Sequence, residues 1–141
     1  MRIVLDTNIY ISAAITSGFS QDILELAATT DLITLLTSDQ ILDEFREKLL
    51  SKFKRSENVV DVFIRKIRKN AEVIEITEQI SIVTRDPDDN KILECALSGG
   101  ADLIVTADQD LIRLKTFKGI GIVHPKTLSW ILPTYFKKPK S

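Results

Sequence analysis

Short apolar runs alternate with helix-period segments along this chain, and that alternation constrains its fold more than any other feature. Arg2 to Leu5 is rich in β-branched residues and reads as a strand buried on both faces. Leu32 to Thr37, Val73 to Ile76, Leu103 to Val105 and Gly121 to Val123 also read as strands, and Ile80 to Val83 as a shorter extended piece. Asn8 to Ile15 is expected to form a first helix, broken near Ser17-Gly18. Ser20 is expected to cap a second helix, with Ile23, Leu24, Leu26 and Ala27 inside. Ser38 or Asp39 caps a third, whose stripe is Ile41, Leu42, Phe45 and Leu49. Ser56 begins a fourth, carrying Val59, Val60, Phe63, Ile64 and Ile67. Asp86-Pro87 opens a helix lined by Ile92, Leu93, Ala96 and Leu97, and Gly99-Gly100 ends it. Asp110 to Leu114 is a brief helix, and Pro125 starts a last one that ends before Pro133. This order predicts an α/β domain with a mainly parallel, five-stranded sheet.

Ligands of such sheets sit at the carboxyl ends of the strands. Asp6 follows the first strand, and Asp108 follows Leu103 to Val105. Glu44 and Asp89 lie on helices that start at the same edge. On a helical wheel the stripe of the third helix centres near Phe45. Glu44 is at its margin, nearer than Asp43 or Glu47, where a packed stem and a head in a cleft are both satisfied. Asp89 shares its face with Ile92, Leu93 and Ala96, so a first-turn carboxylate there faces inward and needs a partner. Asp88 and Asp86 suit capping and the helix dipole instead. Asp110 competes with Asp108: it is a further candidate ligand or the cap of the short helix. Carboxylates gathered in one cleft repel one another, and a hard divalent cation relieves that repulsion. Oxygen ligands favour Mg²⁺ or Mn²⁺.

Composition narrows the chemistry. One cysteine in 141 residues allows no intramolecular disulfide, and one histidine allows no multi-His metal centre. No apolar run approaches the ~20 residues that span a bilayer, and the amino terminus lacks a signal-peptide pattern. A cytoplasmic protein with no membrane partner is expected. Residues 1–132 are expected to form a single domain, and 133–141 a basic tail with Lys137, Lys138 and Lys140. Net charge is −1, yet Lys48, Lys52, Lys54, Arg55, Arg65, Lys66, Arg68 and Lys69 crowd the middle third. A polyanion can meet that stretch, although solvated helix faces look the same. His124 reads as a helix-entry residue, Cys95 as a small core residue, and Trp130 as core or interface.

Leu5-Asp6-Thr7-Asn8, Glu44 after the second strand, Asp86-Pro87-Asp88-Asp89-Asn90-Lys91-Ile92 with Ala96, and Ala101-Asp102-Leu103-Ile104-Val105-Thr106-Ala107-Asp108 together resemble a PIN-domain ribonuclease. The likeness covers essentially the whole chain. Asp-Pro-Asp-Asp, with Thr-x-Asp after the next strand, looks most like the toxin components of prokaryotic toxin–antitoxin pairs. The resemblance implies a three-layer α/β/α sandwich and Mg²⁺- or Mn²⁺-dependent cleavage of RNA. It assigns Asp6, Glu44, Asp89 and Asp108 to the family's acidic quartet, with Asp110 as an extra member. Thr7, Asn8 and Thr106 match the polar residues that support the acids. It also implies an antitoxin protein as partner.

The expected reaction is metal-assisted hydrolysis of an RNA phosphodiester, leaving 5′-phosphate and 3′-hydroxyl ends. Asp6 and Asp108 would hold one ion, with Asp89 and Glu44 binding it directly, through water, or with a second ion. Two rivals stand beside this reading. A phosphatase with an aspartyl nucleophile favours Asp-x-Asp after the first strand, but Asn8 occupies the second position here. A non-catalytic RNA-binding or RNA-processing accessory needs no acidic quartet. Phe53, Phe63 and Trp130 exceed what one small core readily takes, which hints at a homodimer.

Overall fold

The computed structural model describes residues 1–16, 19–80 and 87–131. Strand β1 (Arg2–Leu5) leads directly into helix α1 (Thr7–Ile15), and α2 (Phe19–Thr29) follows. Next come β2 (Thr34–Thr37), α3 (Asp39–Ser51), α4 (Glu57–Asn70) and β3 (Ala71–Val73). Helix α5 (Pro87–Gly99), β4 (Leu103–Val105), α6 (Gln109–Ile112), β5 (Thr116–Phe117), β6 (Ile120–Val123) and α7 (Pro125–Ile131) complete the order. Among the described residues, six strands form one sheet in the order β3-β2-β1-β4-β6-β5. Every pairing is parallel except β5 with β6. Starting from β1, the chain builds β2 and β3 on one side, then β4 and β6 on the other. The switch point falls between β1 and β4.

The buried strands sort their side chains by parity. Ile3, Leu5 and Leu35 enter a core made with α1, α2, α3 and α4, joined by Leu128 of α7. Val4 and Leu36 enter the opposite core, with Ile92, Leu93, Cys95 and Ala96 of α5 and Leu111 of α6. Two cores on one sheet make the three-layer α/β/α architecture. Close packing shows at Gly121 of β6, where an added Cβ would lie 2.8 Å from Leu103 Cδ2. Helix starts are fixed by side-chain caps: Ser38 Oγ accepts from Ile41 N, and Ser56 Oγ accepts from Val59 N. Each such cap contributes about 1 kcal/mol.

Several sequence expectations shift. The sheet has a sixth strand, because β5 folds back on β6 through Lys118-Gly119. Both turn residues have positive φ, 49° and 84°, as a two-residue hairpin turn requires. Strand β3 lies at Ala71–Val73 rather than Val73 to Ile76. Helix α2 begins at Phe19, so Ser20 is inside it and is not its N-cap. Strand β2 starts at Thr34, leaving Leu32 exposed. Helix α6 starts at Gln109, which makes Asp108 its cap. Val59 is exposed although Val60 and Ile67 are buried, because α4 turns only a narrow stripe inward. Trp130 is 74% exposed and so is not a core residue. Phe53 and Phe63 pack at the margin of the first core. Cys95 is buried as expected, and burial pushes its thiol up to about 12. The break at Ser17-Gly18, the segment 81–83, the Asp86 cap and the tail lie outside the described residues.

Candidate active site

Asp6 is the first residue beyond β1, and its backbone N–H donates to Val105 O at 3.0 Å. That bond continues the ladder between β1 and β4 and sets Asp6 at the switch point. The residue is buried, at 7% exposure. Oδ1 accepts from Asn8 N at 3.3 Å, which caps α1, and Oδ2 accepts from the Thr106 hydroxyl at 2.6 Å. Burial pushes the Asp6 carboxyl above its usual range, and the nearby Asp108 charge adds to that. The Thr106 and Asn8 hydrogen bonds and Lys48 pull the other way without cancelling it.

A chain of short bonds then ties β4 to α6. Thr106 Oγ1 accepts from Asp108 N at 3.0 Å, and Asp108 Oδ1 accepts from Asp110 N at 2.8 Å. Asp108 thereby caps α6 with one oxygen. Asp110 meets Arg113 at 3.4 Å on the solvent side. Asp89, in the first turn of α5, is 5% exposed. One carboxylate oxygen from each of Asp89, Asp108 and Asp110 lies within 4.8 Å of the others. Three hard oxygen donors at that spacing fit a divalent cation with water completing its shell.

Glu44 occupies a neighbouring position. It is 9% exposed, while Asp43 and Glu47 point to solvent. Its Oε2 accepts from the Thr7 hydroxyl at 3.4 Å. Lys48 Nζ lies 3.1 Å from Oε1 and Lys91 Nζ 3.8 Å from Oε2. Lys91 also pairs with Asp88 at 3.1 Å. For Lys48, partial burial disfavours its charge, but the hydrogen bond and charge of Glu44 outweigh this and raise its pKa.

Among the predicted residues, Asp89 and Asp108 come together with Asp110. Asp6 joins them through Thr106 and through its field at Asp108. Glu44 connects through Thr7 and two lysines, and is not in the three-carboxylate group. Asn8 is exposed and acts through its backbone N–H. Lys48 and Lys91 were not singled out for the site. Their signal was available in the sequence: Lys48 is one turn after Glu44, and Lys91 two residues after Asp89. His124 Nδ1 accepts from Lys126 N at 3.1 Å at the entry to α7. An apolar recess between α2 and α4, lined by Leu24, Ala28, Phe63 and Ile67, shares no residue with the acids. Its chemistry suits packing rather than hydrolysis.

Comparisons with known proteins bear on the family and the fold. An uncharacterised protein of Methanocaldococcus jannaschii is 33% identical over 120 residues, covering 82% of this chain and 76% of that protein. The crystal structure of VapBC2 from Rickettsia felis, bound to a DNA fragment from their promoter, superposes with a TM-score of 0.64. The match spans 88% of this chain and 98% of that one at 16% identity, so it speaks to the fold. The PIN-domain family profile matches residues 2–110, and the chain belongs to the PIN-domain family.

Proposed function

We propose that this protein is a Mg²⁺- or Mn²⁺-dependent ribonuclease that hydrolyses RNA phosphodiester bonds as the toxin of a toxin–antitoxin pair. The observation that carries the catalytic reading is the convergence of Asp89, Asp108 and Asp110 oxygens within 4.8 Å, beside buried Asp6. Asp6, Asp89, Asp108 and Asp110 are the residues that would hold the ion. A divalent cation bound there would lower the pKa of a water and offset charge on the phosphoryl oxygens. Thr106 and the Asn8 amide fix the Asp6 carboxylate, so its lone pairs keep one direction as substrate arrives. Asp89 is carried by α5, and Asp108, in the β4–α6 connection, is held as the cap of α6. Hydrolysis leaves 5′-phosphate and 3′-hydroxyl ends.

The toxin reading is supported by the Asp-Pro-Asp-Asp and Thr-x-Asp pattern and by the fold shared with VapBC2. An antitoxin protein is its expected partner, and a homodimer is a further assembly in keeping with exposed Trp130. The cytoplasm is the expected compartment; among the described residues no helix is long and apolar enough to cross a membrane. Residues 1–132 are proposed as the nuclease domain, with 133–141 as its basic tail.

The test is incubation of the purified protein with mixed RNAs in Mg²⁺, Mn²⁺ or EDTA. Cleavage only with metal, yielding 5′-phosphate ends, is the expected result. Cleavage that persists in EDTA would sink the metal mechanism. A covalent aspartyl-phosphate would point to the phosphatase chemistry instead.

A further inference from the structure

Five carboxylates at this edge carry more negative charge than one divalent ion removes. An RNA phosphate approaching them needs further cations. Two ammonium groups already stand there, and both lie within ion-pair distance of one buried acid. Glu44 receives Lys48 on Oε1 at 3.1 Å and Lys91 on Oε2 at 3.8 Å. The lysines come from different helices, α3 and α5. Their side chains are 33% and 35% exposed, so both are partly open to solvent. Thr7 donates to the same carboxylate, to Oε2 at 3.4 Å. Lys48 is also within the field of Asp6 and Asp88, which sets it beside the acids.

We propose that Lys48 and Lys91 form a phosphate clamp for the RNA backbone, and that Glu44 is the residue that positions both. This rests on the ribonuclease reading and deepens it. An ammonium has three donors and binds phosphate as a point charge. Lys48 gives one donor to Glu44, and Lys91 has Asp88 at 3.1 Å with the Glu44 carboxylate at ion-pair distance, so each retains capacity for a phosphate oxygen. Glu44 in this arrangement spends its charge on the two lysines and serves the substrate rather than the ion. Its role differs from that of Asp89, Asp108 and Asp110.

The test uses the full chain in the Asp108→Asn background, which leaves the RNA probe uncut. Affinity for a fluorescent single-stranded RNA is read by anisotropy across NaCl concentrations. Lys48→Met and Lys91→Met should each flatten the slope of log affinity against log salt by about 0.7, the share of one phosphate contact. Arg at either position should restore the slope. Glu44→Gln is the sharper probe. Removing a negative charge near a polyanion should raise affinity by simple electrostatics, whereas loss of a positioning residue should lower it. With Asp108 restored, calorimetry with Mn²⁺ should give Glu44→Gln an affinity within about twofold of the unaltered protein. Unchanged slopes in both lysine variants overturn the clamp. So does a Glu44→Gln protein that binds RNA more tightly and Mn²⁺ more weakly, because Glu44 is then a metal ligand. Failure of the unaltered chain to bind or cleave any RNA removes the ribonuclease reading and the clamp together. Cleavage with lysine-independent slopes removes the clamp alone.

Discussion

Thr106 donates its hydroxyl hydrogen to Asp6 Oδ2 at 2.6 Å, across 100 residues of sequence. Thr106 Oγ1 in turn accepts the backbone N–H of Asp108 at 3.0 Å. One fully buried hydroxyl therefore orients two acids from two strands. Hydrogen bonds to charged groups contribute about 1.5–3 kcal/mol. Thr106→Val keeps the shape and removes both contacts. It should destabilise the metal-free protein by about 2–3 kcal/mol at neutral pH. Because this residue orients rather than ligates, Mn²⁺ affinity should fall by about 10–100-fold. Urea denaturation in EDTA and calorimetry with Mn²⁺ read the two effects separately. A stability loss with unchanged metal affinity would separate Thr106 from the site.

The pH dependence of stability should carry the mark of Asp6. Its folded pKa is raised by burial, above the unfolded value near ~3.9. Between those two values the folded state binds more protons than the unfolded state. Stability therefore falls as pH rises through that window, and the loss is complete once pH exceeds the folded pKa. Below the unfolded value the group is neutral in both states and costs nothing. Asp6→Asn removes this titration. Asn keeps one of the two acceptor contacts, so the trend with pH is the readout, not the offset. In EDTA the variant should gain on the unaltered protein as pH rises from about 4. Saturating Mn²⁺ should reverse the order, because the ion stabilises only the carboxylate. A stability difference flat with pH would mean that Asp6 does not carry this burial penalty.

Much of this arrangement is legible from sequence because strands buried on both faces leave no polar position to confuse the pattern. Ile3-Val4-Leu5 and Leu103-Ile104-Val105 end where their apolar runs end, so Asp6 and Thr106 could be located at once. Glu44 and Asp89 were separated from Asp43 and Asp88 by helical periodicity, which records burial but not partners. That is why the wheel puts Glu44 at the margin of the stripe without revealing its two lysines. Strand β3 was misplaced because its edge position asks little of its side chains: Glu72 and Val73 are both exposed. Strand β5 was missed for a similar reason. Two residues give no period, and its turn carries lysine where a more typical signal would be Asn-Gly.

That turn gives a prediction about stability alone. Lys118 adopts φ of 49° between β5 and β6. A left-handed conformation costs an ordinary L-residue about 1–2 kcal/mol, and Asn adopts it more readily. Lys118→Asn should stabilise the protein by about 0.5–1 kcal/mol by relieving part of that cost. Chemical denaturation should show a higher midpoint with an unchanged slope. Since the hairpin lies beyond the acids, RNA cleavage should be unaltered. A lower midpoint would mean that the lysine side chain contributes more than its backbone costs.

Asp108 and Asp110 divide the last acidic position between them, and substitution should separate their roles. Asp108 Oδ1 caps α6 by accepting from Asp110 N. Asn caps about as well as Asp, so Asp108→Asn should leave stability in EDTA within about 0.5 kcal/mol. Its lost charge should instead appear in the metal. Residues that merely support a ligand cost about 10–100-fold in metal affinity, so Asp108→Asn should cost more than that and abolish cleavage. Asp110→Asn also breaks the pair with Arg113, whose side chain is 70% exposed. Such a surface pair contributes at most about 0.5–1 kcal/mol, so its loss should hardly register in denaturation. The metal should again report the difference. Asp110 has an oxygen within 4.8 Å of those of Asp89 and Asp108, and Asp110→Asn should weaken Mn²⁺ by at least about tenfold. An Asp110→Asn protein that binds Mn²⁺ as tightly as the unaltered chain would remove Asp110 from the ion's shell and leave the position to Asp108.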